Sequence, residues 1–235
     1  MATFVLVHGA WHGGWCYGRV ARLLRAAGHD VYTPTHTGVG ERAHLNDYRI
    51  TLSTHVRDVS NMIQYEDLSD VIMCGHSYGG MVITGVAAAL GERIRSLVYL
   101  DAFLPEDGQS LFDLLAPEMV NQFLSLAKSN HGLLPPIPAA AFNVNAKDAA
   151  WVDRTCVPQS LLTFTEGVRF TGKEAAVPNR TYILATGYDM HVFDQFYERV
   201  KNNPKWKAHA VPCGHDVMVD QPEELAKLLL AEVGR

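Results

Sequence analysis

One stretch of the chain, VIMCGHSYGGMVI at residues 71–83, constrains the fold more than any other. It begins with four apolar residues, some of them β-branched, which predict a short strand buried on both faces. Residues 81–90 are apolar nearly all round and precede Gly91, a pattern typical of a buried helix that stops at a glycine. A strand buried on both faces needs helices above and below its sheet, so the stretch predicts an α/β protein.

Strand-like and helix-like segments alternate along most of the chain. This alternation predicts a mostly parallel, six-stranded sheet with helices on both faces. The predicted strands cover residues 4–7, 31–33, 71–74, 96–100, 181–184 and 207–211, and the predicted helices cover residues 20–27, 54–65, 81–90, 192–200 and 225–233.

One region, residues 105–178, interrupts the alternation because it has no clear strand. Its many aromatic and leucine residues argue against disorder. It follows the carboxyl end of one predicted strand and precedes the next, the edge of an α/β sheet where ligands bind. We therefore predict an inserted helical cap at 105–178, over a core made of residues 1–104 and 179–235.

Composition excludes several classes of function. The chain has 235 residues, is 48% hydrophobic and 19% charged, and carries a formal net charge of −5, so neither a nucleic-acid partner nor a membrane span is expected. The N-terminus lacks the basic region of a signal peptide. Four cysteines (Cys16, Cys74, Cys156 and Cys213) show neither zinc-site nor paired spacing. We expect reduced thiols, a cytoplasmic protein and no metal.

Ser77 lies in the pattern G-x-S-x-G between the predicted strand and helix. Such a sharp turn needs small flanking residues and pushes the serine oxygen outward. The helix that follows contributes free N–H groups and the positive end of its dipole. The pattern predicts a nucleophile.

A serine nucleophile requires a base, and His215 is the best candidate among the 11 histidines. It lies in VPCGHDVMV, in the loop between the last predicted strand and the last helix. In a parallel α/β sheet this loop reaches the same edge as Ser77, with the chain order serine, acid, histidine.

Two backbone amides should stabilise the oxyanion. Tyr78, the residue after the nucleophile, should provide one of them. Ala10, in the loop HGAWHGGW after the first strand, should provide the other. Trp11 and His12 in the same loop are predicted to border the substrate pocket.

Three segments, FVLVHGAWHGGW, VIMCGHSYGGM and CGHDVMVDQPEELAKLLL, resemble the small α/β-hydrolases of the plant methylesterase and hydroxynitrile lyase type and their bacterial esterase relatives. The resemblance covers both ends of the chain and the serine turn, and is weak through residues 105–178. It implies an α/β-hydrolase fold with a helical cap and no metal or cofactor. It also implies Ser77 as nucleophile, His215 as base, and Ala10 and Tyr78 as oxyanion donors.

The lyases of this family are less similar to the chain than the esterases are. They have a lysine directly after the catalytic histidine, where this chain has Asp216. They also have a threonine near the oxyanion loop, where this chain reads His-Gly-Ala at residues 8–10. The resemblance therefore disfavours cyanohydrin cleavage.

The third member of the triad has two candidates. The family pattern places the acid near Tyr188, and Asp189 stands one residue later. Asp101 follows the strand after the serine turn, a position that carries the acid in some other α/β-hydrolases. An aspartate so close to an apolar strand should be buried and therefore needs a partner. We favour Asp101 and keep Asp189 as the alternative.

These features predict a serine hydrolase that cleaves a small, fairly apolar carboxylic ester through an acyl-enzyme. An amide or carbamate hydrolase with the same Ser-His-Asp machinery is the alternative. A non-catalytic small-ligand receptor or a hydroxynitrile lyase fits less well. We expect a small-molecule ester substrate, no cofactor, and a monomer or homodimer.

Overall fold

A computed structural model describes residues 1–235. The strands are β1 (Thr3–Val7), β2 (Asp30–Tyr32), β3 (Val71–His76), β4 (Ile94–Leu100), β5 (Leu133–Leu134), β6 (Gln159–Ser160), β7 (Asn179–Ala185) and β8 (Trp206–Val211). The helices are α1 (Gly18–Ala26), α2 (Leu52–Tyr65), α3 (Gly79–Leu90), α4 (Pro117–Ser129), α5 (Ala149–Thr155), α6 (Leu162–Thr165), α7 (Asp194–Val200), α8 (Val217–Asp220) and α9 (Pro222–Leu230).

Six of the strands form one parallel sheet in the order β2-β1-β3-β4-β7-β8. Each lies within two residues of its predicted bounds. The strand before the serine turn, β3, pairs with β1 and β4 and is buried at all six positions. Its continuous apolar sequence follows from this central place, because helices cover both faces of the sheet. The predicted α/β-hydrolase architecture is confirmed.

The carboxyl ends of the parallel strands share one edge of the sheet. Ala10 follows β1, Ser77 follows β3, Asp101 follows β4, and His215 follows β8. The topology therefore brings residues far apart in sequence to one edge.

The segment between β4 and β7, which includes the insertion predicted at residues 105–178, contains α4, α5 and α6. It also contains β5 and β6, a two-residue antiparallel pair that the sequence did not predict. Strands this short have no periodicity that a sequence pattern could reveal. Aromatic side chains of the insertion reach the core: Phe164 packs 5.7 Å from Tyr78 and 5.9 Å from Trp11, measured between ring centroids.

Gly91 does follow α3, but its φ of −54° is ordinary for any residue. A side chain there would overlap the backbone of Lys173, so close approach to the insertion is what requires glycine. All four cysteines are free thiols. No helix combines the length and apolar character needed to cross a bilayer.

Candidate active site

Ser77 occupies a tight turn between β3 and α3. Its φ is +55°, in the left-handed region that L-residues rarely adopt. A Cβ on Gly75 would come within 2.6 Å of the Gly79 carbonyl oxygen, and one on Gly79 within 2.8 Å of the Val7 carbonyl oxygen. Packing between adjacent backbones therefore requires both glycines of the pattern, as the sequence predicted.

His215 is held by Asp101. The ring Nδ1–H donates to Asp101 Oδ2 over 2.6 Å, and both side chains are buried. Asp101 also accepts hydrogen bonds from the Ala185 amide at 3.0 Å and the Tyr188 hydroxyl at 2.7 Å. Burial of a carboxylate is costly unless its oxygens accept hydrogen bonds, and both oxygens of Asp101 do so. Asp101 has a φ of +44°, so it is, after Ser77, the second residue of the site with a left-handed backbone.

Asp189 does not take this position. Its side chain is exposed, whereas the neighbouring Tyr188 points inward and places its hydroxyl 3.3 Å from His215 Nδ1. The resemblance places the acid near residue 188, and that position holds a tyrosine. The Tyr188 hydroxyl donates to the carboxylate of Asp101, which follows β4. Sequence reasoning missed this contact, because nothing in TGYD distinguishes an inward tyrosine from an exposed one.

The ring of His215 is fixed by aromatic neighbours as well. Phe193 stacks on it with ring centroids 5.0 Å apart and planes inclined by 5°. Phe142 packs against it at 4.9 Å, and the Phe142 carbonyl accepts the His215 amide at 2.9 Å. This surrounding limits rotation of the imidazole and excludes water from one of its faces.

The two predicted oxyanion donors, Ala10 and Tyr78, border the same cavity as Ser77. Neither amide donates to another backbone carbonyl. The loop that carries Ala10 is anchored through Trp11, which adopts a φ of +65°. The Trp11 amide donates to Gln159 Oε1 at 2.9 Å, so the insertion helps to shape this loop.

A cavity that is partly open to solvent adjoins Ser77 and His215. Of its 17 lining residues, 15 are hydrophobic. No carboxylate, lysine or arginine lines it. Its lining includes Phe103 after β4, residues of the insertion (Met119, Phe123 and Phe164) and residues of the loop before α7 (Met190 and Phe193).

Trp11 borders this cavity, whereas His12, the other residue predicted to border the substrate pocket, does not. His12 is buried behind the oxyanion loop, where its Nε2 lies 3.0 Å from Asp216 Oδ2 and its Nδ1 lies 2.7 Å from the Ala10 carbonyl oxygen. Burial opposes the charged ring, yet the Asp216 carboxylate outweighs it and raises the pKa of His12 well above its ordinary value. Burial likewise disfavours the charged carboxylate, but His12 holds the pKa of Asp216 well below its usual range.

Three other buried histidines lie behind Tyr78. His36 packs between His8 and His55, with ring centroids 4.2 Å and 4.6 Å away, and the Tyr78 hydroxyl lies 2.9 Å from His55 Nδ1. Desolvation lowers the pKa of His8 to about 3 and that of His55 to about 4, so both rings are neutral near pH 7. No local sequence pattern predicts this cluster, because its members are distant in the chain.

One group of potential metal ligands is present. Ligand atoms of His76, His215 and Asp216 lie within 4.8 Å of one another. The protein already uses these groups, since His76 Nε2–H donates to the His215 carbonyl at 3.0 Å and Asp216 pairs with His12. The arrangement is that of a hydrogen-bonded network between loops.

Comparisons with known proteins place this geometry in a family. The sequence model of the alpha/beta hydrolase family matches residues 4–228. The "Carbendazim hydrolyzing esterase" of Nocardioides sp. (strain SG-4G) is 55% identical over 98% of this chain and 99% of its own length. "Methylesterase 1" of Arabidopsis thaliana is 30% identical over 46% of this chain and 41% of its own.

A solved structure has the same fold. An extracellular alpha/beta-hydrolase from a Paenibacillus species superposes with a TM-score of 0.83 over 100% of both chains, at 24% identity. Together the matches confirm the resemblance to plant methylesterases and bacterial esterases. The chain therefore belongs to the alpha/beta hydrolase family and is an esterase of that family.

Proposed function

We propose that Ser77, His215 and Asp101 form the triad of this esterase and that its substrates are small, apolar esters. His215 Nε2 takes the Ser77 hydroxyl proton as the oxygen attacks the ester carbonyl. The amides of Ala10 and Tyr78 stabilise the oxyanion, a contribution typically worth about 3–4 kcal/mol for one donor. His215 then gives the proton to the departing alcohol, which leaves an acyl-serine.

Deacylation repeats these steps with water as the nucleophile. His215 removes a proton from water, hydroxide adds to the acyl carbonyl, and Ser77 leaves with the proton returned by His215. The carboxylic acid is the second product. Asp101 keeps the Nδ1 proton in place throughout and stabilises the imidazolium in each step.

The 2.6 Å hydrogen bond between His215 Nδ1 and Asp101 Oδ2, beside a cavity shared with Ser77, is the observation that carries the proposal. It supports Asp101 over Asp189, whose carboxylate is exposed. A buried acid behind a buried histidine supports a catalytic role over that of an idle receptor, which needs neither group. Asp216, where the lyases have lysine, argues against cyanohydrin cleavage.

The cavity lining supports an apolar substrate. A charged substrate group would lose its hydration against hydrophobic walls without gaining an ionic partner. The aromatic side chains favour a flat or aromatic group, which can pack against their faces and edges.

A second candidate is hydrolysis of a methyl carbamate, which the same machinery could perform. The observation that favours it is the 55%-identical relative named for carbendazim, an aromatic methyl carbamate. It does not displace the carboxylic ester as the main proposal. An amide substrate has no such support.

The test is a parallel assay of three substrates, 4-nitrophenyl acetate, 4-nitroacetanilide and carbendazim, with the folded Ser77→Ala variant as blank. Ester turnover that vanishes in Ser77→Ala, with no anilide cleavage, is the expected result. Turnover of carbendazim at a higher kcat/KM than the ester would promote the carbamate candidate. The absence of turnover on all three substrates, or unchanged activity in Ser77→Ala, would overturn the proposal.

Three finer features also belong to the proposal. We infer a cytoplasmic protein, a monomer or homodimer, and a small-molecule substrate with neither nucleic acid nor membrane as partner. The four free thiols support the cytoplasmic location, and the net charge of −5 supports the absence of a nucleic-acid partner. Size-exclusion chromatography with light scattering tests the oligomeric state.

A further inference from the structure

A second histidine–aspartate pair lies next to the proposed triad. His12 and Asp216 are buried at 3% and 0% exposure and are joined by a 3.0 Å hydrogen bond. Asp216 directly follows His215, and His12 lies two residues after Ala10. The pair therefore connects the loop of the proposed base with the loop of a proposed oxyanion donor.

The hydrogen bonds of His12 define its charge. Its Nδ1 faces the Ala10 carbonyl oxygen at 2.7 Å, and its Nε2 faces a carboxylate. The carbonyl oxygen can only accept a hydrogen bond, and the neighbouring ring lowers the pKa of Asp216, which favours a carboxylate that also accepts. With an ionised Asp216, each ring nitrogen carries a proton and His12 is an imidazolium.

His8 gives an internal contrast. Its Nδ1–H also donates to a carbonyl of this loop, that of Gly9, at 2.8 Å. Its Nε2, however, accepts the His36 amide at 3.1 Å, so the ring of His8 is neutral. His8 and His12 thus bond to successive carbonyls of one loop, but one ring is neutral and the other is charged. The hydrogen-bond partner of each ring's Nε2 determines this difference.

These contacts hold the peptides around Ala10. The Gly9 carbonyl belongs to the same peptide as the Ala10 amide, and His8 anchors it. The next peptide is held at both ends, because His12 binds its carbonyl and Gln159 binds the Trp11 amide. A charged donor makes a hydrogen bond roughly twice as strong as a neutral donor does. His12 therefore provides the strongest of these anchors.

We propose that the His12–Asp216 ion pair is a positioning device that holds the Ala10 amide in the orientation needed to receive the oxyanion. The inference rests on the proposed role of Ala10. His12 does not border the substrate cavity, so it acts through the backbone. Asp216 maintains the charge of the imidazolium and fixes the loop of His215 by the same bond.

Several titratable groups face His12. Asp216 is its carboxylate partner, Cys156 lies beside it, and its ring centroid is 6.1 Å from that of His76. The uncharged Trp15 stacks on its other face at 5.2 Å. Asp216 is the one carboxylate in contact with the ring, so Asp216→Asn removes the counter-charge and nearly preserves the shape.

The charge state is tested first, without reference to activity. Protein with ¹⁵N-labelled histidine is examined by NMR at pH 7, and the His12 signals are assigned by their absence in His12→Gln/Asp216→Asn, which leaves no uncompensated carboxylate. We expect imidazolium shifts for His12 in the wild type and neutral-ring shifts for His12 in Asp216→Asn. A neutral His12 in the wild type would overturn the proposal.

Kinetics test the positioning role. We expect Asp216→Asn to lower kcat on 4-nitrophenyl acetate by about 10–100-fold, within the range for loss of an oxyanion contact. Acylation and deacylation rates should fall together while KM changes less than threefold, because the oxyanion forms in both steps. The double variant His12→Gln/Asp216→Asn should lose no more of its kcat than the less active of the two single variants, His12→Gln and Asp216→Asn. This follows because the two residues act as one unit.

Glu223→Gln is the matched control, because it removes an exposed carboxylate from the same region. An Asp216→Asn kcat within twofold of the control, or a loss confined to KM and Tm, would contradict the proposal. If the wild type turns over the ester and Ser77→Ala does not, the proposed function stands whatever the result for Asp216→Asn. Absent wild-type turnover would instead refute that function.

Discussion

Replacement of Asp101 by asparagine tests the assignment of the triad acid most directly. Asp101 accepts three hydrogen bonds, from His215 Nδ1–H, the Tyr188 hydroxyl and the Ala185 amide. Asparagine can keep the Ala185 bond through its carbonyl oxygen. Its NH₂ group then faces His215 Nδ1, which must become an acceptor.

This reversal determines the size of the effect. With Nδ1 unprotonated, the neutral His215 ring carries its proton on Nε2, which is then unable to take the proton of Ser77. The geometry stays intact while the base has the wrong tautomer, a defect that costs about 10⁴-fold in kcat in a serine protease triad. We expect a similar loss in Asp101→Asn, or about 5 kcal/mol of transition-state stabilisation.

The assay is kcat/KM on 4-nitrophenyl acetate, with folding checked by circular dichroism and thermal melting. Asp189→Asn is the matched control, since it makes the same chemical change on an exposed side chain in the loop after β7. We expect the control to stay within about threefold of wild type. A larger loss in Asp189→Asn than in Asp101→Asn would refute the reasoning.

Three further outcomes are expected. Tyr188→Phe should lower the free energy of unfolding by about 1.5–3 kcal/mol, because the buried Asp101 carboxylate loses a hydrogen bond from the Tyr188 hydroxyl; an unchanged midpoint in urea unfolding would argue against this. Gly9→Ala should lower activity and Tm, because its Cβ would lie 2.8 Å from an imidazole nitrogen and 3.0 Å from the proposed nucleophile, whereas Gly18→Ala, with nothing nearer than 3.9 Å, should do neither. The folded pKa values of His8 and His55, about 3 and about 4, lie below the ordinary 6.5, so their contribution to stability is complete above pH 6.5 and is lost as the pH falls toward those values. Urea unfolding should lose about 1.4 kcal/mol per pH unit for each group in that window, and a glutamine at either position should flatten the slope.

The sequence by itself determined the fold class and predicted two residues of the proposed triad. Continuous apolar strands alternating with amphipathic helices have few stable arrangements, so a parallel six-stranded sheet followed from local patterns. Ser77 was recognisable because a tight strand-to-helix turn needs glycines at fixed offsets. His215 was recognisable because the loop after the last strand must reach the same sheet edge.

Other features depended on contacts that no local pattern encodes. Asp101 and Asp189 are both loop aspartates after strands, and a left-handed backbone at Asp101 together with an inward Tyr188 separates them. His12 looked like a pocket residue in HGAWHGGW, but the fold pairs it with Asp216, 204 positions away. Periodicity reports which face of an element is buried, whereas the charge and role of a buried side chain are set by partners that only the tertiary structure brings into contact.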